Sequence, residues 1–443
     1  MDSVQRDEAA PLIVDVEDGS SLKLTSPKNH ARDVHILSIA FLFIFSAYHA
    51  CQNLESTVNK EGGLGSTSMG ILYVSFTLFS LVASPIVRRL GLKNSLLLGS
   101  TGYFLFIASN LIPSWYTMVP ASVYFGFTAS ILWVGQGTYL TSTARSHARD
   151  HHLHEGTIIG NFNGEFWSFF ASTQVTGNLL TLALLRNDKD DKVAGTGLLF
   201  TVFLICMVLG IILLFFISTR KYKDDATVIH PSLRSILESV FAPMLEIRML
   251  LIIPLFAYSG FHQAFVWAEY TKHVVTPALG VSGVGGAMAL YGAADAICSL
   301  VSGRLTSNIS SVTVIVLCGA FPQILVLLWL LFGYSATSGA LDSVFALLIA
   351  VIWGVGNGVI ITQVNALLGI LSKHEKGLDL ESAFGQMKVW QSAAIAVVFF
   401  LSPYISFQAM LIVMVVALCM ALAGFLYLTL CVEKPIPALN DST

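Results

Sequence analysis

Twelve apolar runs of about 20 residues each, the length that crosses a hydrocarbon core, leave this chain of 443 residues few folds to adopt. They lie near residues 34–54, 67–87, 95–113, 116–141, 158–184, 196–218, 248–272, 281–303, 312–333, 342–371, 380–402 and 405–430. The expected class is an all-α, multi-pass membrane protein with the lipid bilayer as its first partner. Charged residues are 12% of the chain, about half the ~25% usual in soluble proteins. With a net charge of −3 and no basic block, nucleic acid is not expected as a partner.

Six runs precede a polar segment, 219–247, and six follow it. The expected division is therefore a disordered cytosolic tail (1–33), a six-helix half (34–218), a cytosolic linker (219–247), a second six-helix half (248–430) and a C-terminal cytosolic tail (431–443). The halves also echo each other in sequence. Ser46-Ala47-Tyr48-His49 reappears as Ser259-Gly260-Phe261-His262, Leu72-Tyr73 as Leu290-Tyr291, Gln136 with Leu140 as Gln363 with Leu367, and Trp167 as Trp390. The offsets run from 213 (262 − 49) to 227 (363 − 136) and keep chain order, as an internal duplication requires. Parallel repeats about an axis along the membrane normal are the plan of the major facilitator fold, in which sites lie near the midplane between two pseudo-symmetric halves.

Basic residues orient the chain. With the N-terminus inside, inner loops hold about thirteen Lys and Arg and outer loops about five, so both termini are expected in the cytosol. The first 32 residues are too polar to contain a signal-peptide core. Within them Glu8, Leu12 and Ile13 resemble an acidic dileucine type of sorting signal. That pattern would send the protein to an endosomal, vacuolar or lysosomal membrane; without it the plasma membrane is the alternative. The six cysteines sit in apolar runs without a CxxC pair, so neither a zinc site nor a disulfide framework is expected, and no cofactor is implied.

Polar residues inside apolar runs are the candidate functional positions, because such groups avoid lipid and face a bundle interior or a watery cavity. His49, Gln52 and Asn53 interrupt the first run, Gln136 the fourth, His262 and Gln263 the seventh, and Asn357, Gln363 and Asn365 the tenth. These runs line the central cavity in the expected architecture, and Gln136 with Gln363 would face each other across it. The competing reading is that the amides are hydrogen-bonding glue between helices, each worth about 0.6 kcal/mol. Glu165, Glu269, Asp295 and Lys388 also fall within apolar runs, where an unpaired charge costs about 2.5–3.5 kcal/mol. Inter-helix ties are expected for Lys388 and Asp295, with cation or proton coupling the alternative for Glu165 and Glu269. The repeat sets Glu165 against Lys388. The turn after the second run carries Arg88, Arg89, Gly91 and Lys93 where the major facilitator pattern has roughly D-R-x-G-R-K. Arg88 stands at the acidic position and Leu92 at a basic one, so a plain basic turn competes with a gating role.

Four of these runs together resemble the uncoordinated-93 family, a branch of the major facilitator superfamily. They are Cys51-Gln52-Asn53-Leu54-Glu55-Ser56, Trp133-Val134-Gly135-Gln136-Gly137-Thr138-Tyr139, Gly260-Phe261-His262-Gln263 with Tyr270-Thr271-Lys272, and Trp353-Gly354 with Thr362-Gln363-Val364-Asn365. The resemblance covers about residues 34–430. It implies twelve helices and a role as an accessory subunit of a potassium channel or a trafficking partner of membrane proteins, contributing to ion homeostasis. Gly356-Asn357-Gly358 stands where that family suggests an acidic residue in the tenth helix. The alternative function is secondary transport of a small solute or ion. An enzyme is not expected, since no nucleophile, base and oxyanion donor cluster in sequence.

Overall fold

The computed structural model describes residues 29–58, 64–185, 192–219, 245–280, 283–333, 340–372, 380–402 and 404–433, apart from the side chains of 53–58, 66, 181–185, 192–196 and 340–341. The signal at Glu8, Leu12 and Ile13, most of the expected linker and the Asn53 side chain fall outside the described residues.

Each apolar run is a helix. In order they are α1 (His30–Val58), α2 (Leu64–Leu90), α3 (Leu92–Ser109), α4 (Trp115–Asp150), α5 (Glu155–Leu185), α6 (Lys192–Leu214), α7 (Ile247–Ala264), α8 (Gly283–Leu305), α9 (Ile309–Phe332), α10 (Ala340–Leu371), α11 (Leu380–Leu401) and α12 (Phe407–Tyr427). The helix of α7 runs on through π-helical turns, Phe265–Val275, into Thr276–Leu279, and α12 ends in a π-helical turn, Leu428–Val432. Ser114 and Asn308 start α4 and α9 as N-caps, each accepting from the backbone N–H three residues on, which satisfies donors a helix start would otherwise orphan.

Packing follows the sequence repeat. In the first six helices α1 packs on α5 and α6, α2 on α4, and α3 on α4 and α6. Adding six to every label gives the packing of the last six: α7 on α11 and α12, α8 on α10, and α9 on α10 and α12. The two sets meet along α2 with α11 and α5 with α8, which again correspond. An aromatic cluster from α1, α3, α4 and α5 fills the first set, with ring centroids 4.2 Å apart for Tyr103 and Phe125 and 5.0 Å for Phe41 and Phe166. Large apolar side chains such as Leu78, Phe215, Phe321 and Phe332 stay exposed, as expected of a surface that meets lipid.

Ten helices among the described residues are long and apolar enough to cross a membrane; α3 and α5 are the two outside that set. The reason in α5 is its polar content, including Asn161, Asn163, Glu165, Gln174 and Asn178. It lies between α1 and α8 and need not resemble lipid. Its approach to α8 is backbone to backbone: a methyl placed on Gly303 would lie 2.4 Å from the Gly164 Cα. Small residues permit such contact in membrane bundles.

The turn between α2 and α3 is made by Gly91, whose φ of +78° is left-handed. A methyl there would meet nothing within 4 Å, so the glycine is needed for its backbone alone. Gly91→Ala is expected to lower stability by about 1–3 kcal/mol, the cost of holding a side-chain-bearing residue in this positive-φ region, measured as a lower unfolding midpoint in detergent. An unchanged midpoint would remove the conformational explanation.

Candidate functional site

Between the two sets of helices lies a cavity with about 90 Å³ of room for water centres, several times the ~10–15 Å³ that one water needs. On α1 it is lined by Phe45, Tyr48, His49 and Gln52, the spacing of one helical face. Lys388, Gln391, Ser392 and Ile395 make the α11 wall by the same rule. Trp133 (α4), Trp167 and Gln174 (α5), Gln263 and Trp267 (α7 and its π-helical continuation), Asp295 (α8) and Asn357 (α10) complete the polar and indole lining.

Lys388 is 4% exposed. Its Nζ donates to Gln391 Oε1 at 2.8 Å and sits 4.7 Å from the Trp133 ring centroid and 5.9 Å from that of Trp167. The two indoles are parallel, 5.8 Å apart. Aromatic faces attract a cation, the more so when water is excluded. Asp295 is 5% exposed and accepts from Asn357 Nδ2 at 2.7 Å and from the Ser299 hydroxyl at 3.1 Å. Among the described residues no ion pair joins Lys388 to Asp295 or to any other carboxylate.

Of the residues read as cavity-lining, His49, Gln52, Gln263 and Asn357 line this cavity. His49 Nδ1 is 2.8 Å from the Thr173 hydroxyl, which itself donates to the Phe170 carbonyl, leaving the ring nitrogen as the donor. Gln52 Nε2 donates to the Tyr73 hydroxyl at 3.3 Å. Four others are elsewhere. Gln136 is one turn beyond Trp133, beneath the cavity, where the Phe384 ring fills the space beside Gly137; its amide is buried without a partner. Gln363 ties α10 to α8, accepting from the Thr306 hydroxyl at 2.9 Å and donating to the Ser302 carbonyl at 3.2 Å. Asn365 donates to the Ile361 carbonyl of its own helix at 2.7 Å. His262 packs against Trp353, centroids 4.9 Å apart. The facing amides read into Gln136 and Gln363 are therefore not a feature of the cavity.

The charges also separate. Glu165, which corresponds to Lys388 in the repeat, is 22% exposed and pairs with His35 on α1. Glu269 is buried beside His273, at 3.4 Å, and accepts from the Ser402 hydroxyl; it does not line the cavity. Only Asp295 and Lys388 do. In the basic turn, Lys93 donates to the carbonyls of Phe215 and Ile217 past the end of α6, Arg89 is exposed, and Arg88 reaches the other set of helices, 3.9 Å from the buried Glu381.

At this basic end the halves are shut. Arg145 of α4 donates from Nη2 to the Gly369 carbonyl in the last turn of α10 at 2.8 Å and to Ser372 Oγ at 2.9 Å, while its Nε stands 3.1 Å from Glu155. Ser84 and Ser382 add a hydroxyl contact between α2 and α11 at 3.2 Å. Gln174, Gln391 and Trp267 are lining residues that sequence reasoning passed over. Gln174 follows Trp167 by two turns and Gln391 follows Lys388 by one, a phase signal that was present.

The description "ion channel regulatory protein UNC-93" matches residues 55–426. UNC93-like protein 3 of Arabidopsis thaliana is 60% identical, over 93% of this chain and 88% of its own. Protein unc-93 homolog A of Bos taurus is 30% identical over 90% of this chain and 93% of its own. The putative potassium channel regulatory protein unc-93 of Caenorhabditis elegans is 29% identical over 88% of this chain and 60% of its own. Among solved structures, the transporter FucP in its outward conformation superposes with a TM-score of 0.66 at 12% identity, over 90% of this chain and 99% of that one. The proton:xylose symporter XylE does so with a TM-score of 0.65 at 11% identity, over 90% and 95%. These last likenesses establish the major facilitator fold, and with a match spanning both six-helix sets the chain belongs to the UNC-93 family.

Proposed function

We propose that this protein regulates an ion channel, potassium channels being the first class to test, as an accessory subunit or in the channel's trafficking, and so contributes to potassium homeostasis. The observation that carries this reading is the family match from residue 55 to residue 426, which takes in both sets of helices and the surfaces they turn to the membrane. The halves are held together at the basic end by Arg145 and Arg88, and regulation would work through release of those contacts. By the positive-inside rule that end faces the cytosol, and the form seen here is shut on that side. The plasma membrane and an endosomal or vacuolar membrane are the two candidate locations, which a fluorescent fusion separates.

Co-expression with a panel of potassium channels is expected to change the current of at least one by about twofold or more, with the pair co-purifying in mild detergent. Unaltered currents and no stable membrane partner would overturn the reading. Transport of a small solute is the second reading, favoured by the enclosed polar cavity between the halves. Purified protein in liposomes then takes up solute, and Lys388→Met stops it.

A further inference from the structure

The cavity between the halves carries two groups of opposite chemical character that do not satisfy each other. Lys388, 4% exposed, donates to Gln391 and otherwise has its Nζ against the Trp133 and Trp167 rings, with no second hydrogen-bond acceptor among the described residues. Asp295, 5% exposed, has only neutral partners, Asn357 and Ser299. Both line the same cavity. Trp167 and Gln174 line it too, and each holds a buried polar atom with no hydrogen-bond partner, the donor Nε1 of Trp167 and the acceptor Oε1 of Gln174. Buried polar groups are normally paired. Here the unused capacity falls into two patches.

The helices place these patches. Trp167, against which Lys388 sits, is seven residues before Gln174 on α5, about 10.5 Å along the axis. Gln174 packs on α8 at Gly292, one turn from Asp295. A donor patch of Lys388 and Trp167 thus lies nearer the basic end, and an acceptor patch of Asp295 and Gln174 lies farther from it. Rings of Phe45, Tyr48, Phe125, Phe170, Tyr73 and Trp267 close the space between and around them.

We propose that this cavity binds a small amphoteric organic molecule, with an acidic group toward Lys388 and Trp167, a basic group toward Asp295 and Gln174, and an aromatic or large apolar body among the rings. A ligand with only the acidic group brings like charge to Asp295, and one with only the basic group brings it to Lys388. An inorganic ion leaves the aromatic walls unused. This deepens the reading of the cavity as a ligand site and is independent of the channel-regulating one.

The test uses the full chain purified in detergent, with tritiated L-phenylalanine as probe and phenylacetate and phenethylamine as competitors of the same body bearing one charge each. Saturable binding of L-phenylalanine is expected, with each competitor at least about tenfold weaker, the factor for one lost charged hydrogen bond. Lys388→Met weakens L-phenylalanine by about tenfold or more and leaves phenethylamine no weaker, since that cation loses a like charge; Asp295→Asn gives the mirror result with phenylacetate. The comparison of the three compounds on the unaltered protein needs no variant to fold. Absence of saturable L-phenylalanine binding, or either competitor matching it, overturns the proposal. Such failure leaves channel regulation untouched, since that is read from currents.

Discussion

Gly303→Leu removes the folded protein from the membrane. The first side-chain carbon at position 303 would come within 2.4 Å of the Gly164 Cα and 2.6 Å of the Gly160 carbonyl, both backbone atoms of α5. Backbone cannot swing aside as a side chain does, so α5 and α8 must part. The contact they would lose is one of those along which the six-helix sets meet. Overpacking a core ordinarily costs about 1–3 kcal/mol, and relief here needs two whole helices to move, so the upper end of that range or beyond is expected. The monodisperse peak of a fluorescent fusion in size-exclusion chromatography reports it. Gly286→Leu is the control: it lies at the start of the same helix with nothing within 4 Å of an added methyl, and its peak is expected to match that of the unaltered protein. Equal peaks for both variants would show that α5 and α8 are not in backbone contact.

The second large effect concerns the shut end. Arg145→Ala deletes two hydrogen bonds from a guanidinium to α10, one to the Gly369 carbonyl and one to Ser372. Bonds of this charged type are worth about 1.5–3 kcal/mol each, and the first also places positive charge at a helix C-terminus. Losing them is expected to shift the balance toward an open basic end by about tenfold or more. Thr141 is the reporter, because it is 1% exposed and faces Gly369 across the seam. Thr141→Cys with Arg145→Ala should react with a hydrophilic maleimide at least about ten times faster than Thr141→Cys alone. A single common rate would mean that Arg145 does not hold the halves together.

The helices were legible because a run of apolar residues has one stable form in lipid, and the duplicated echoes carried through to the packing order of α1–α6 and α7–α12. The cavity face of α1 was legible for a similar reason: His49 and Gln52 lie three residues apart, on the side that also bears Phe45 and Tyr48. Gln363 failed because polarity was read without phase. Six residues past Asn357 it has turned about 600°, well off the cavity face, and it meets α8 instead. Gln136 failed on depth, since the side of α4 was right but the Phe384 ring closes the space at that level. His262, the echo of His49, failed because the corresponding cavity positions on the α7 side are Gln263 and Trp267. Single-residue echoes between duplicated halves hold for the course of the backbone better than for the direction of a side chain. Glu165 and Lys388 likewise correspond in the repeat but differ in phase: Glu165 turns to His35 on α1, while Lys388 sits against Trp167, two residues farther along α5.

The polar makeup of α5 bears on how the protein is made. A segment carrying two asparagines and two glutamates in its first turns gains little by entering lipid alone, so the translocation machinery has weak grounds to release it sideways. It becomes comfortable in the bilayer only once α1 shields Glu165 through His35 and α8, synthesised more than a hundred residues later, covers its glycine face. Biogenesis is therefore obliged to wait: a nascent chain halted before α8 should leave its fifth segment unintegrated, and its topology would be settled only after the second set of helices emerges from the ribosome.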